Sequence, residues 1–126
     1  MRTLGKVMVV DDSMMVRRQL VRVLSAEGHV VLEACDGVDA LEKFRLNPEV
    51  KLIFLDMNMP RMSGVELLRE IRAMHATQPD VVLLTADLLA VMEHDARELG
   101  VKTWLSKPVK DATVLAVVRK LTPDAA

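Results

Sequence analysis

Aromatic residues are nearly absent: the 126-residue chain has two phenylalanines, Phe44 and Phe54, one tryptophan, Trp104, and no tyrosine. A core built without them must be filled by aliphatic side chains and by the nine methionines, whose unbranched thioethers pack adaptably. Cysteine is confined to Cys35, which excludes an internal disulfide and fits a reducing compartment. Charge of either sign is not in excess: 17 basic against 18 acidic side chains leave −1 at neutral pH. That balance argues against a dedicated nucleic-acid or membrane-surface binder, and Arg17, Arg18 and Arg22 read as a solvated helix face. Long apolar runs are missing as well. The longest uncharged apolar segment lies between Asp80 and Asp87, far short of the ~20 residues of a membrane span. The apolar run near the start is too short for a signal peptide. No membrane insertion and a cytoplasmic location are therefore expected. The length suits one domain, 1–126, with room for a full core.

Apolar runs alternate with amphipathic stretches. "KVMVVD" (6–11) reads as a buried strand, and "SMMVRRQLVRVLSAEG" (13–28) as a helix with Val16, Leu20, Val23 and Leu24 on one face and Gly28 as its stop. "HVVLEA" (29–34) is a second strand; "GVDALEKFRLNP" (37–48) is a helix with Ala40, Leu41 and Phe44 inward, ended by Pro48. "KLIFLD" (51–56) is a third strand. Ser63 and Glu66 have the spacing of a capping box, opening a helix that carries Leu67, Leu68, Ile71 and Met74. "VVLLT" (81–85) is followed by a helix lined by Leu88, Leu89, Met92, Ala96 and Leu99, which Gly100 ends. "TWLS" (103–106) is the fifth strand, and Asp111 is expected to cap a last helix holding Val114, Val118 and Leu121, closed by Pro123. Strand followed by helix, repeated to the end of the chain with short connections, implies an α/β doubly wound sheet of parallel strands with right-handed crossovers.

The residues that end the strands are unusual. VMVV leads to Asp11 and Asp12, LIFL to Asp56, VVLL to Thr85, and TWL to Ser106 and Lys107; the second strand ends on nothing of the kind. In an open parallel sheet all carboxyl ends lie along one edge, and ligands bind there where strand order reverses. The flavodoxin-like order 2-1-3-4-5 would leave the second strand at the sheet edge, outside that crevice. Three crowded carboxylates repel one another unless protonated or bound to a cation, and their oxygens with added water suit Mg²⁺. Zinc is not indicated: His29, His75 and His94 lack ligand spacing. Lys107 brings a compact positive charge and Thr85 a hydroxyl that donates or accepts. Cation, lysine and hydroxyl are what a carboxylate nucleophile needs to hold a phosphoryl group. No P-loop and no GxGxxG is present, so the donor need not be a nucleotide bound by this chain. Each feature also has a plain alternative: an Asp helix cap in "DDS", a turn after Asp56, a β-branched strand end at Thr85, an ordinary "KP" loop.

Taken together, "VVDDS" (9–13), "LIFLDMNMPRMSG" (52–64), "LLTAD" (83–87) and "WLSKP" (104–108) resemble the receiver domain of two-component response regulators, of the chemotaxis-type, single-domain form. The resemblance covers nearly the whole chain. It implies that Asp56 is the phospho-acceptor, that Asp11, Asp12, Asp56 and the backbone carbonyl of Asn58 hold Mg²⁺, and that Lys107 and Thr85 contact the phosphoryl oxygens. It further implies a cis peptide before Pro108, a turn at Gly64, a switch role for Thr85 and Trp104, and an influence of Asn58 and Asp87 on the rate of dephosphorylation. The switch aromatic of this family is usually Tyr or Phe, so Trp104 departs from the pattern; Met57 stands where chemotaxis-type receivers often carry tryptophan.

The implied partners are a histidine kinase or histidine phosphotransfer protein as donor, and a downstream effector protein or fused output domain. The surface expected to change is that of the fourth helix, fifth strand and fifth helix. Self-phosphorylation and self-dephosphorylation are expected, rather than conventional multiple-turnover catalysis. One alternative is that the chain is the amino-terminal receiver of a longer transcriptional or enzymatic regulator, although Met1 reads as a natural start. Others are an aspartate-nucleophile phosphatase of the haloacid dehalogenase type, against which stand Asn58 in place of a second acid and the absence of a cap domain, and a non-phosphorylated pseudo-receiver.

Overall fold

The computed structural model describes residues 5–74, 78–86 and 98–122. Within them the chain runs β1 (Lys6–Val10), α1 (Met14–Ala26), β2 (Val30–Ala34), α2 (Gly37–Leu46), β3 (Leu52–Asp56), α3 (Gly64–Arg72), β4 (Asp80–Thr85), β5 (Thr103–Ser106) and α4 (Asp111–Leu121). All the strands pair parallel in one sheet of order β2-β1-β3-β4-β5, so the expected doubly wound arrangement is what forms. The helix expected on Leu88, Leu89, Met92 and Ala96 lies outside the described residues. Gly100, expected to stop it, has a φ of 76°, the left-handed conformation that glycine adopts without penalty.

The sheet is covered on both sides, which is why its central strands read as unbroken apolar runs. Alternate side chains of β1, β3 and β4 go to opposite faces. Met8, Val10, Ile53, Leu55 and Leu83 meet Phe44 of α2 and Leu67, Leu68 and Ile71 of α3 in one layer. Val7, Val9, Leu52, Phe54, Val82 and Leu84 meet Leu20 and Leu24 of α1 and Val114 and Val118 of α4 in the other. Each such side chain contributes roughly 1.5–3 kcal/mol through burial. The outer strand β2 is largely exposed or half-buried, as an edge strand must be.

Helix ends follow local chemistry, with one correction. Ser63 accepts from the Glu66 N–H while Glu66 accepts from the Ser63 N–H, completing the expected capping box. Asp111, expected to cap the last helix, does not. The N-cap is Lys110 without a side-chain bond, and Asp111 is the first helical residue. Its carboxylate is held instead by α1, accepting from Gln19 Nε2 at 3.0 Å and Arg22 Nη2 at 2.8 Å. With Gln19 also bonded to the Val109 carbonyl and Arg119 forked onto Glu27, these contacts lace α1 to α4.

Candidate functional site at the carboxyl ends of the strands

β1, β3, β4 and β5 deliver their terminal residues to one edge of the sheet. β1 ends at Asp11, buried completely, whose Oδ1 accepts from the Ser13 N–H at 2.8 Å. The helix cap is Ser13, accepting from the Val16 N–H at 3.3 Å; neither Asp11 nor Asp12 does that work. Asp12 is exposed beside it. β3 ends at Asp56, which is buried, and Asp56 Oδ1 accepts from the Asn58 N–H at 3.2 Å. One ligand atom from each of Asp11, Asp12 and Asp56 lies within 4.8 Å of the others.

Lys107 reaches into this cluster from the residue after β5. Its Nζ lies 2.8 Å from Asp11 Oδ2 and 3.3 Å from Asp56 Oδ1, so one ammonium bridges the two buried acids. Asp11 Oδ2 is buried and, apart from this ion pair, has no hydrogen-bond partner among the described residues. Burial, then the charge of Asp11, pushes the Asp56 carboxyl up to about 6, against the opposing pull of the Asn58 N–H and of Lys107. Burial alone would depress the Lys107 ammonium; the Asp11 and Asp56 carboxylates outweigh it and hold it above its ordinary value. These acids fit a hard divalent cation: three carboxylates converge, among the described residues Lys107 is ion-paired with two of them, and a buried oxygen of Asp11 has no other partner.

Thr85 is buried at the end of β4, the strand beside β3, and its carbonyl accepts from the Lys107 N–H at 2.8 Å. The peptide between Lys107 and Pro108 is cis. Trp104 stands apart from the acids. On the β4–β5 ladder it is level with Leu83, two residues below Thr85, and it packs half-buried on the α2–α3 layer. Asp87 lies outside the described residues. Gly64 is the first residue of α3 rather than a separate turn. A Cβ there would lie 2.5 Å from the Asp56 carbonyl oxygen, so only glycine lets α3 start directly beneath the end of β3.

Two site-adjacent residues, Asp36 and Arg61, were not singled out from the sequence. Asp36 caps α2, accepting from the Asp39 N–H at 2.8 Å, and also accepts from Arg61 Nε at 3.0 Å and from Arg61 Nη2. Arg61 belongs to the loop that follows Asp56, 25 positions from its partner. Only the pattern of an Asp before a helix and an Arg near the site was available beforehand.

A doubly wound α/β domain with a carboxylate trio and a lysine at its switch point is the framework of a phosphoryl-accepting signalling module. The chain belongs to the response regulator receiver domain family of two-component systems, whose model matches residues 7–119. It is 37% identical over 112 residues to the chemotaxis protein CheY of Treponema pallidum, covering 87% of this chain and 77% of that protein. It is 34% identical over 118 residues to a transcriptional regulatory protein CpxR homolog of Haemophilus influenzae, covering 94% of this chain and spanning 50% of that protein. Among solved structures, the CheX–CheY–BeF3–Mg²⁺ complex from Borrelia burgdorferi superposes with a TM-score of 0.84 at 29% identity, covering 93% of this chain and 88% of that one. Receiver domains generally bind Mg²⁺, and this chain has the acidic cluster for it.

Proposed function

We propose that the chain is a phosphorylation-dependent switch whose acceptor is Asp56. The observation that carries this reading is the Lys107 ammonium bridging two buried carboxylates, one of them Asp56 at the end of β3. The donor is a phosphohistidine on a histidine kinase or histidine phosphotransfer protein. The Asp56 carboxylate attacks phosphorus; an oxygen–phosphorus bond forms, the nitrogen–phosphorus bond breaks, and the imidazole leaves with its electron pair and takes a proton. Asp11, Asp12, Asp56 and the Asn58 carbonyl would hold Mg²⁺, which when bound neutralises charge between the attacking and leaving groups. Lys107 then pairs with a phosphoryl oxygen, and the Thr85 hydroxyl turns toward another. Reset is attack of water on phosphorus: the Asp56 oxygen–phosphorus bond breaks, the carboxylate leaves with the electron pair, inorganic phosphate is released, and Asn58 and Asp87 influence the rate.

The CheX–CheY–BeF3–Mg²⁺ complex from Borrelia burgdorferi supports this chemistry by analogy. The output surface comprises β5, α4 and the segment before β5, read by an effector protein in a cytoplasmic setting. The relatives include both a CheY, matched over 77% of its length, and a transcriptional regulator, matched over 50% of its length, so the effector is a separate protein or a fused output domain. Incubation with acetyl phosphate and Mg²⁺, followed by intact mass, tests the assignment. A single phosphoryl adduct is expected on the wild type and none on Asp56→Asn. Equal labelling of the variant would move the acceptor elsewhere, and rapid release of phosphate from ordinary monoesters would mark a phosphatase.

A further inference from the structure

The loop between Asp56 and α3, residues 57–63, carries Asn58, and its hold on the rest of the molecule is lopsided. Met57, Met59 and Met62 rest half-buried on the α2–α3 layer, while Asn58 is exposed between them. Methionine contacts of this kind fill space without fixing a backbone sharply. Directional contacts hold its two ends: the Met57 N–H donates to the Leu84 carbonyl at 3.1 Å and the Asn58 N–H to Asp56 Oδ1 at 3.2 Å at one, and the Ser63 N–H to Glu66 at 3.3 Å and the Gly64 N–H to the Met57 carbonyl at 3.0 Å at the other. Between them the Met62 N–H donates to the Pro60 carbonyl at 2.7 Å, and the side-chain tie to another element is the Arg61 guanidinium, which donates to Asp36 through Nε and Nη2. Arg61 also has a φ of 66°, the left-handed region that a side chain other than glycine enters at a cost. Its partner is no loose surface acid: the Asp36 side chain is 8% exposed and is fixed as the cap of α2. Next to it, a Cβ on Gly37 would lie 2.7 Å from Met62 Cβ and 2.8 Å from the Met62 carbonyl oxygen, so the start of α2 is pressed directly against the loop.

We propose that Asp36 and Arg61 form a positioning pair, in which the start of α2 fixes the 57–63 loop and thereby sets the Asn58 backbone beside Asp56 for Mg²⁺. The proposal rests on the receiver reading above. α2 thus belongs to the site although it contributes no ligand, and Arg61 acts through Asn58 rather than on the phosphoryl group.

The test is Mg²⁺ binding to the whole chain by calorimetry, with thermal unfolding measured alongside. Arg61→Gly removes the pair and also relieves the strained φ. Asp36→Asn keeps an oxygen to accept from the Asp39 N–H but loses the charge, so each variant retains a reason to fold. Both are expected to weaken Mg²⁺ binding about tenfold, the low end of the range for residues that orient metal ligands. Their double variant should be no weaker than the weaker single, because one interaction is lost. Simple charge arithmetic predicts otherwise: deleting an arginine near a cation should tighten binding, and deleting an aspartate should loosen it. Tighter or unchanged binding by Arg61→Gly overturns the proposal. So does a lowered melting temperature in both variants with Mg²⁺ affinity intact, which would make the pair structural only. A wild type that takes up no Mg²⁺ removes the receiver reading itself, and this proposal with it.

Discussion

The Asp56 carboxyl, buried at the end of β3 with Asp11 close by, is raised from 3.8 to about 6. A group whose folded value is raised contributes stability that is complete below its unfolded value, near 3.8, and lost as pH rises through about 6. Asp56→Asn cannot lose a proton and so escapes that loss. Without divalent cations the variant should match the wild type near pH 4 and exceed it by up to roughly 3 kcal/mol above pH 7. Urea unfolding across this range checks it; a difference independent of pH would assign the gain to packing. Added Mg²⁺ should narrow the gap, because it stabilises only the folded protein that binds it. Asp11→Asn and Asp12→Ala should each weaken Mg²⁺ binding by at least roughly tenfold, since losing a ligand costs no less than losing a group that merely orients one. Unchanged affinity in both would leave the acids without a metal role. At this scale the sequence was legible because each of these polar residues interrupts an apolar run. Asp111 was not, since an Asp before a helix signals a cap and the side chains that claim it, Gln19 and Arg22, are 92 and 89 positions away.

Between elements, the join of β3 to α3 sets the height of the site. Gly64 lets the helix begin against the Asp56 carbonyl, and its N–H bonds to the Met57 carbonyl at 3.0 Å. Gly64→Ala must push backbone, not a yielding side chain, out of the way. It should cost about 1–3 kcal/mol, the range for overpacking a tight contact, and slow phosphorylation by acetyl phosphate more than Ser63→Ala does. That second variant loses the capping box at about 1 kcal/mol but leaves the loop's approach to Asp56 alone. Equal rates in the two variants would show that the Gly64 contact does not govern the site. The elements were readable from periodicity and caps: Leu20, Val23 and Leu24 share the buried face of α1, and Ala40, Leu41 and Phe44 that of α2. The α2-to-loop lock was not, because the Asp36–Arg61 pair and the Gly37–Met62 contact join segments with no shared periodicity.

Across the whole molecule, the parallel sheet offers a route from the acids to its far edge. The Met57 N–H donates to the Leu84 carbonyl at 3.1 Å, Thr85 pairs with Ser106, and Leu83 pairs with Trp104. Asp56 is thus linked through β4 to β5, and strand order rather than sequence proximity makes Trp104 a neighbour of β4. Trp104 is the only indole in the chain, and it is half-buried on the α2–α3 layer. A phosphoryl mimic can shift such a system only by binding one arrangement better, and moving it from 1:99 to 99:1 takes about 5.5 kcal/mol. Contacts from Lys107, Thr85 and the metal to the mimic are of a kind that can supply this. Beryllofluoride with Mg²⁺ should therefore move the indole into a drier setting and shift its emission to the blue, and Asp56→Asn should lose the response. Thr85→Ala should still bind the mimic, read by calorimetry, while the fluorescence change shrinks, because the hydroxyl that couples β4 to the new oxygens is gone. If the wild-type spectrum stays the same while calorimetry shows the mimic bound, Trp104 is a static packing residue, and the signal leaves the acids by another path.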